Sequence, residues 1–114
     1  MKEILLCSHN PLLIKNIIGI LIDDGYSVDT VDHPSNAVRN VLKKRYNILI
    51  IDSEPFGLSG EDAIHIIRIL APDIPVISLG VPQPGTDATI IKAPIDLEEF
   101  KQIFTGINRL QHIN

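Results

Sequence analysis

The sequence predicts an α/β fold, an open, doubly wound, five-stranded parallel sheet with helices on both faces, made by one domain spanning 1–114. Three observations carry this. Short apolar runs alternate with longer segments of helical period, the pattern of successive βαβ units. The first, third and fourth runs are almost free of polar residues, as strands covered on both faces are. A chain of 114 residues has the length of a single domain, enough to bury roughly two thirds of its unfolded surface around one core.

The strands are read in order at Ile4–Cys7, Ser27–Val31, Ile48–Ile51, Val76–Leu79 and Ala88–Ile91, each rich in β-branched or aliphatic residues. Asn10 caps a first helix that opens with Pro11 and runs to about Asp24, where Gly25 stops it. Pro34 opens a second, to about Lys44, with Ala37, Val38, Val41 and Leu42 on one face. Ser59 with Asp62 resembles a capping box for a third, which ends near Pro72. Asp96 with Glu99 does the same for the last, whose buried face is Leu97, Phe100, Ile103, Phe104, Ile107 and Leu110. Between the fourth and fifth strands, residues 80–87 hold two prolines and two glycines, so that crossover is expected to be a bare loop and not a helix.

Composition narrows the function. Hydrophobic residues make up 45% and charged residues 21% of the chain, the profile of a compact folded protein. The net charge is −4 and the ten basic residues are scattered along the sequence, so direct nucleic-acid binding is not expected. Apolar stretches such as Leu12–Ile22 are too short and too interrupted, by Lys15, Asn16 and Gly19, to cross a bilayer. Met1 to Ile4 run straight into a strand, which leaves no room for a signal peptide, and the single Cys7 has no partner for an internal disulfide. A cytoplasmic location is the expectation.

In sheets of this kind chemistry gathers at the carboxyl ends of the strands, beside the point where strand order reverses. That directs attention to Ser8, His9 and Asn10 after the first strand, to Asp52 and the residues up to Gly57 after the third, and to Gly80 after the fourth.

The run from Ile48 to Gly60, an apolar strand ending in Asp52 followed by Pro55, Gly57 and Gly60, resembles the receiver domain of bacterial response regulators, the CheY-like family. Pro72 to Ile77 and Pro94 to Phe100 resemble it too, and the likeness covers the whole chain. It implies a flavodoxin-like sheet of strand order 2-1-3-4-5, with the helix usual between strands 4 and 5 replaced by the Pro/Gly loop. It implies that Asp52 stands at the phosphoacceptor position and that the chain signals in a two-component phosphorelay and is not an enzyme. A sensor histidine kinase or other signalling protein is the implied partner.

The rest of the family's site is substituted. Ser8 and His9 stand where an acidic pair helps to hold Mg²⁺, Gly80 stands at the hydroxyl position, and Ala93 stands at the lysine position. Ile90 occupies the aromatic switch position. Mg²⁺ prefers hard oxygen ligands in a near-octahedral array, so a site reduced to Asp52 and Glu54 is expected to hold it weakly or not at all. Lys92 lies one residue from the lysine position, but a one-residue shift along a strand turns a side chain to the other face. The expected function is a receiver domain with a degenerate phosphorylation site, needing no cofactor unless it is phosphorylation-competent, when it needs Mg²⁺.

Other readings stand beside this one. A phosphorylation-independent pseudo-receiver would act as a protein-binding or dimerisation module, and the broad apolar faces of the first and third helices suit an interface, including that of a homodimer. Cys7, at a strand end before a helix, has the place of a phosphocysteine carrier, but its loop has no Gly and no Arg, and Pro11 removes a backbone donor. His9 with Asp52 makes too few ligands for a transition metal. His65, Arg68 and the run Lys43-Lys44-Arg45 read as solvated faces, and Asp23 with Asp24 lie at a helix end far from the active edge.

Overall fold

The computed structural model describes residues 2–52, 58–80, 88–92 and 96–113, the side chains of 58–60, 92 and 108–113 excepted. Its elements are β1 (Glu3–Cys7), α1 (Pro11–Asp23), β2 (Ser27–Val31), α2 (Pro34–Lys43), β3 (Ile48–Asp52), α3 (Leu58–Leu70), β4 (Val76–Gly80), β5 (Thr89–Lys92) and α4 (Leu97–Ile113). All strand pairs are parallel, in the order β2-β1-β3-β4-β5 that the resemblance implies. The order reverses between β1 and β3, which pair from Ile4↔Ile48 to Cys7↔Ile51. At this point the chain leaves β1 at Ser8, and β3 ends at Asp52.

Strand alternation divides the core in two. Ile4, Leu6, Ile48, Ile50, Ile77, Leu79 and Ile91 pack with Ile17 and Leu21 of α1 and with Phe100 and Phe104 of α4. Leu5, Cys7, Leu49, Ile51 and Val76 face the other way, toward Ala37 of α2 and Ile64 and Ile67 of α3. Each fully buried aliphatic side chain contributes about 1.5–3 kcal/mol, which is why the three central strands tolerate almost nothing polar. Tyr26 meets Phe104 edge-on at 4.9 Å, and Phe104 stacks on Phe100 at 5.9 Å, closing the α1/α4 layer.

The helix ends follow the local chemistry. Asn10 Oδ1 accepts from the Leu12 and Leu13 amides at 3.1 and 3.3 Å, with Pro11 at the first helical position. Gly25, at φ +85°, ends α1: its N–H donates to Ile22 O and the Tyr26 N–H to Leu21 O, the pair of reversed bonds that a left-handed glycine makes possible. Asp96 Oδ1 accepts from the Glu98 amide at 2.9 Å to start α4. The cap of α2 is His33, whose ring Nδ1 accepts from the Ser35 amide at 3.1 Å.

Several sequence expectations need correction. Helix α3 begins at Leu58, so Ser59 lies inside its first turn and not at its cap. Leu97, assigned to the buried face of α4, is exposed, because it opens the helix before the stripe of Phe100 and Phe104 turns inward. Arg68 is not simply solvated: its guanidinium donates to the Ile74 carbonyl at 2.7 Å and ties the end of α3 to the approach to β4. Lys44 is likewise engaged, lying 3.0 Å from both the Glu3 and the Asp29 carboxylates. The expected Pro/Gly crossover lies, beyond Gly80, outside the described residues, as does the side chain of Leu110. Four helices accompany the sheet among the described residues, and none of these is long and apolar enough to cross a membrane.

Candidate functional site

The site is built where β1 and β3 run out together. Pairing of Cys7 with Ile51 sets the next residue of each strand side by side, and the Ser8 hydroxyl donates to Asp52 Oδ2 at 3.1 Å. Ser8 also accepts from the Asn10 amide at 3.1 Å and donates its own N–H to Val31 O at 2.9 Å. It thereby links three elements, β2, β3 and the start of α1. Only 1% of Ser8 and 7% of Asp52 is exposed, so this is a buried carboxylate whose neighbour from β1 is a neutral hydroxyl. His9, the next residue, is exposed.

Gly80 closes β4, buried and at φ +98°. A side chain in this left-handed region is strained, so the backbone itself disfavours a hydroxyl-bearing residue there. It pairs with Lys92, the last residue of β5. Glu54 and Ala93 lie outside the described residues, so the structure brings together Ser8, Asp52 and Gly80 at one edge and leaves those two unplaced. Ile90 is in β5, half-buried.

Cys7 is fully buried just beneath the site. Burial, reinforced by the negative charges of Asp52 and Asp32, pushes its thiol up to about 12. It stays protonated at neutral pH, whereas phosphocysteine chemistry needs the thiolate. Among the described residues no group of three or more His, Cys, Asp and Glu is placed to hold a metal.

Sequence reading missed one feature beside the site. An open groove of about 690 Å³ runs from Ser8 and His9 past Thr30 and Asp32 to Arg39 and Lys43 of α2. Arg39 and Lys43 are four residues apart and so share a helix face. With Lys44 and Arg45, they give the region of α2 a concentration of cations that the scattered appearance of the basic residues hides.

No family model matches the chain. It is 29% identical over 79 residues to the nitrogen assimilation regulatory protein NtrX of Azorhizobium caulinodans, a match covering 68% of this chain and 17% of that protein. The chain thus spans about a sixth of the length of that curated relative. Among solved structures it superposes on the chemotaxis protein CheY4 of Vibrio cholerae with a TM-score of 0.81, at 19% identity, covering 94% of this chain and 98% of the other. It superposes with a TM-score of 0.75, at 26% identity and 95% coverage of both chains, on the receiver domain of the sensor histidine kinase PA1611 from Pseudomonas aeruginosa PAO1, which has a magnesium ion coordinated in its active-site cleft. These likenesses support a response regulator receiver domain of two-component systems.

Proposed function

We propose, from the premise that this chain is a CheY-like receiver domain, that it serves two-component signalling with a degenerate phosphorylation site. The observation that carries this is the buried bond from Ser8 to Asp52. In the resembling family an acidic residue at this place helps to hold Mg²⁺. Here a neutral hydroxyl takes up an oxygen of Asp52, the position of the phosphoacceptor, and its own oxygen is committed to the Asn10 amide. The exposed imidazole of His9 offers nitrogen, which Mg²⁺ disfavours. The donor set that this chain presents at Ser8, His9 and Asp52 therefore fits Mg²⁺ poorly, even with Glu54 counted as a second carboxylate.

Receiver phosphorylation is chiefly a matter of positioning and charge neutralisation. If Asp52 reacts, its carboxylate oxygen attacks phosphorus, the P–N bond of a phosphohistidine breaks, and the released imidazole nitrogen keeps the electron pair. With Gly80 at the hydroxyl position and Ala93 at the lysine position, nothing assigned from the family's pattern remains to balance the charge on the phosphoryl oxygens. The chain then works mainly through its protein contacts, with a sensor histidine kinase or another signalling protein as partner.

The test is intact-mass measurement after incubation with acetyl phosphate and Mg²⁺, for wild type, Asp52→Asn and Cys7→Ser. The expected result is no stoichiometric adduct on any of the three. A phosphate added to wild type and lost only in Asp52→Asn would make the domain phosphorylation-competent and overturn the degenerate reading. Loss only in Cys7→Ser would move the chemistry to the thiol.

A second reading, a phosphorylation-independent binding module, is favoured by aliphatic side chains left in solvent: Leu42, Ile66, Ile69 and Leu70 on one side of the sheet, and Leu12, Ile22 and Leu97 on the other.

A further inference from the structure

The exposed aliphatics are unevenly placed. Leu12 and Ile22 sit near opposite ends of α1, and Leu97 is alone at the start of α4. The other four collect on the adjacent helices α2 and α3, where Leu42 is 64%, Ile66 45%, Ile69 79% and Leu70 43% exposed. Residues 66, 69 and 70 are three and four apart, so they form one stripe along α3, on the opposite side of the helix from Ile64 and Ile67 in the core. Between the ends of α2 and α3 lies a groove of about 300 Å³, lined by Leu42, Lys43, Arg45, Leu70, Ala71 and Ile74.

The charge around this stripe has one sign on the α2 side. From Pro34 to Arg45 the chain has no carboxylate and four cations. Lys44 is neutralised by Glu3 and Asp29. Among the described residues Arg39, Lys43 and Arg45 are in no ion pair. Asp73, past the end of α3, shares a neighbouring groove with Arg45, and the exposed Asp62 lies one turn before Ile66 at the far end of the stripe, away from Leu70 and the groove. The groove at the carboxyl ends of the two helices therefore sets the aliphatic side chains of Leu42 and Leu70 beside two cations in no ion pair among the described residues, Lys43 and Arg45, with Asp73 near Arg45.

We infer that the α2/α3 face is a docking surface for an acidic amphipathic helix of another protein, with Leu42, Ile66, Ile69 and Leu70 receiving its aliphatic residues and Lys43 and Arg45 meeting its carboxylates. A second copy of this chain is the less suitable occupant. A twofold contact matches a patch with itself, which sets Lys43 and Arg45 of both copies into one interface without added carboxylates. The inference goes beyond the signalling role proposed above and does not rest on the chemistry at Asp52, which lies at the opposite, carboxyl-terminal edge of the sheet.

The experiment measures fluorescence anisotropy of a labelled helical peptide about four turns long, with leucines on one stripe and glutamates beside it, titrated with the full chain. A peptide with lysines replacing the glutamates is the control. No phosphodonor and no Mg²⁺ are present, so the outcome is separate from the state of Asp52. Saturable binding of the acidic peptide is expected, weaker by about tenfold in the Lys43→Glu/Arg45→Glu double variant and in Leu70→Gln, and weakened by salt. These positions are exposed, and circular dichroism melts check that the variants fold. Equal binding of both peptides, or no binding of the acidic one, overturns the proposal. So does light scattering that shows a dimer lost in Leu70→Gln, which would give the face to a second copy.

Discussion

Replacing Ser8 by alanine removes the hydroxyl that holds Asp52 and leaves the rest of the edge in place. The bond is 3.1 Å long between groups 1% and 7% exposed, so water does not readily replace it. A hydrogen bond to a charged group contributes about 1.5–3 kcal/mol. Asp52 keeps other interactions, which argues for the lower part of that range, and the Asn10 amide loses its acceptor as well. A loss of about 2 kcal/mol is therefore expected. With about 2.1 cal/mol/K of unfolding entropy per residue, a chain of 114 residues loses about 8 °C of melting temperature for that energy. Differential scanning calorimetry at neutral pH reads the shift, and a cycle with Asp52→Asn isolates the pair. If Ser8→Ala melts with wild type, or if the two substitutions are strictly additive, the hydroxyl is not what holds the carboxylate and the reasoning fails.

Cys7 is expected to resist alkylation in the native state at pH 8 and to react fully on unfolding, as a thiol counting assay shows. Folding raises its pKa from 9.0 to about 12, so the associated stability is fully present below pH 9 and is lost as pH rises from 9 towards 12. Cys7→Ala should flatten that alkaline decline, and the remaining slope includes Tyr26 and Tyr46, whose burial also raises them, and Lys44, raised by its bonds to Asp29 and Glu3. The Tyr46 hydroxyl donates to Asp29 Oδ2 at 2.7 Å, the leading cause, ahead of the bond from Lys44, of a carboxyl held below 3.8. That stability is present above pH 3.8 and lost as pH falls below it, so Tyr46→Phe should cost about 1 kcal/mol at neutral pH and make acid unfolding less steep. Gly80→Thr, which offers a hydroxyl where the resemblance implies one, should destabilise by about 1–3 kcal/mol because φ is +98° there, and a melt equal to wild type would refute the strain.

The double-sided burial of β1, β3 and β4 was legible because parallel strands between two helical layers have no solvent face and their sequences reduce to aliphatic runs, whereas the strand order came from the resemblance to the CheY-like family. The starts of α1 and α4 were legible because Asn10-Pro11 and Asp96 have local chemistry that needs no tertiary context. Ser59 misled because a hydroxyl in a first turn and a hydroxyl at a cap look alike in sequence. His33 was missed because an imidazole is rarely the acceptor at a helix start. Arg68 read as solvated because helical period gives a face but not the free carbonyl of Ile74 beyond the turn. The site shows the same division. Adjacency of Ser8 and Asp52 follows from the sheet order, but their bond needs the register of Cys7 against Ile51, and the grouping of Leu42 and Lys43 with Leu70 needs α2 and α3 packed together.

The central claim is that Asp52 stands at the receiver edge with too few hard oxygen neighbours to anchor a divalent cation. Backbone amide resonances of Cys7, Ser8 and Asp52, followed while Mg²⁺ is titrated to millimolar concentration, test it most directly. The account predicts only the small, non-saturating drift of a salt effect at all three. A saturable shift centred on Asp52 and abolished by Asp52→Asn would contradict it.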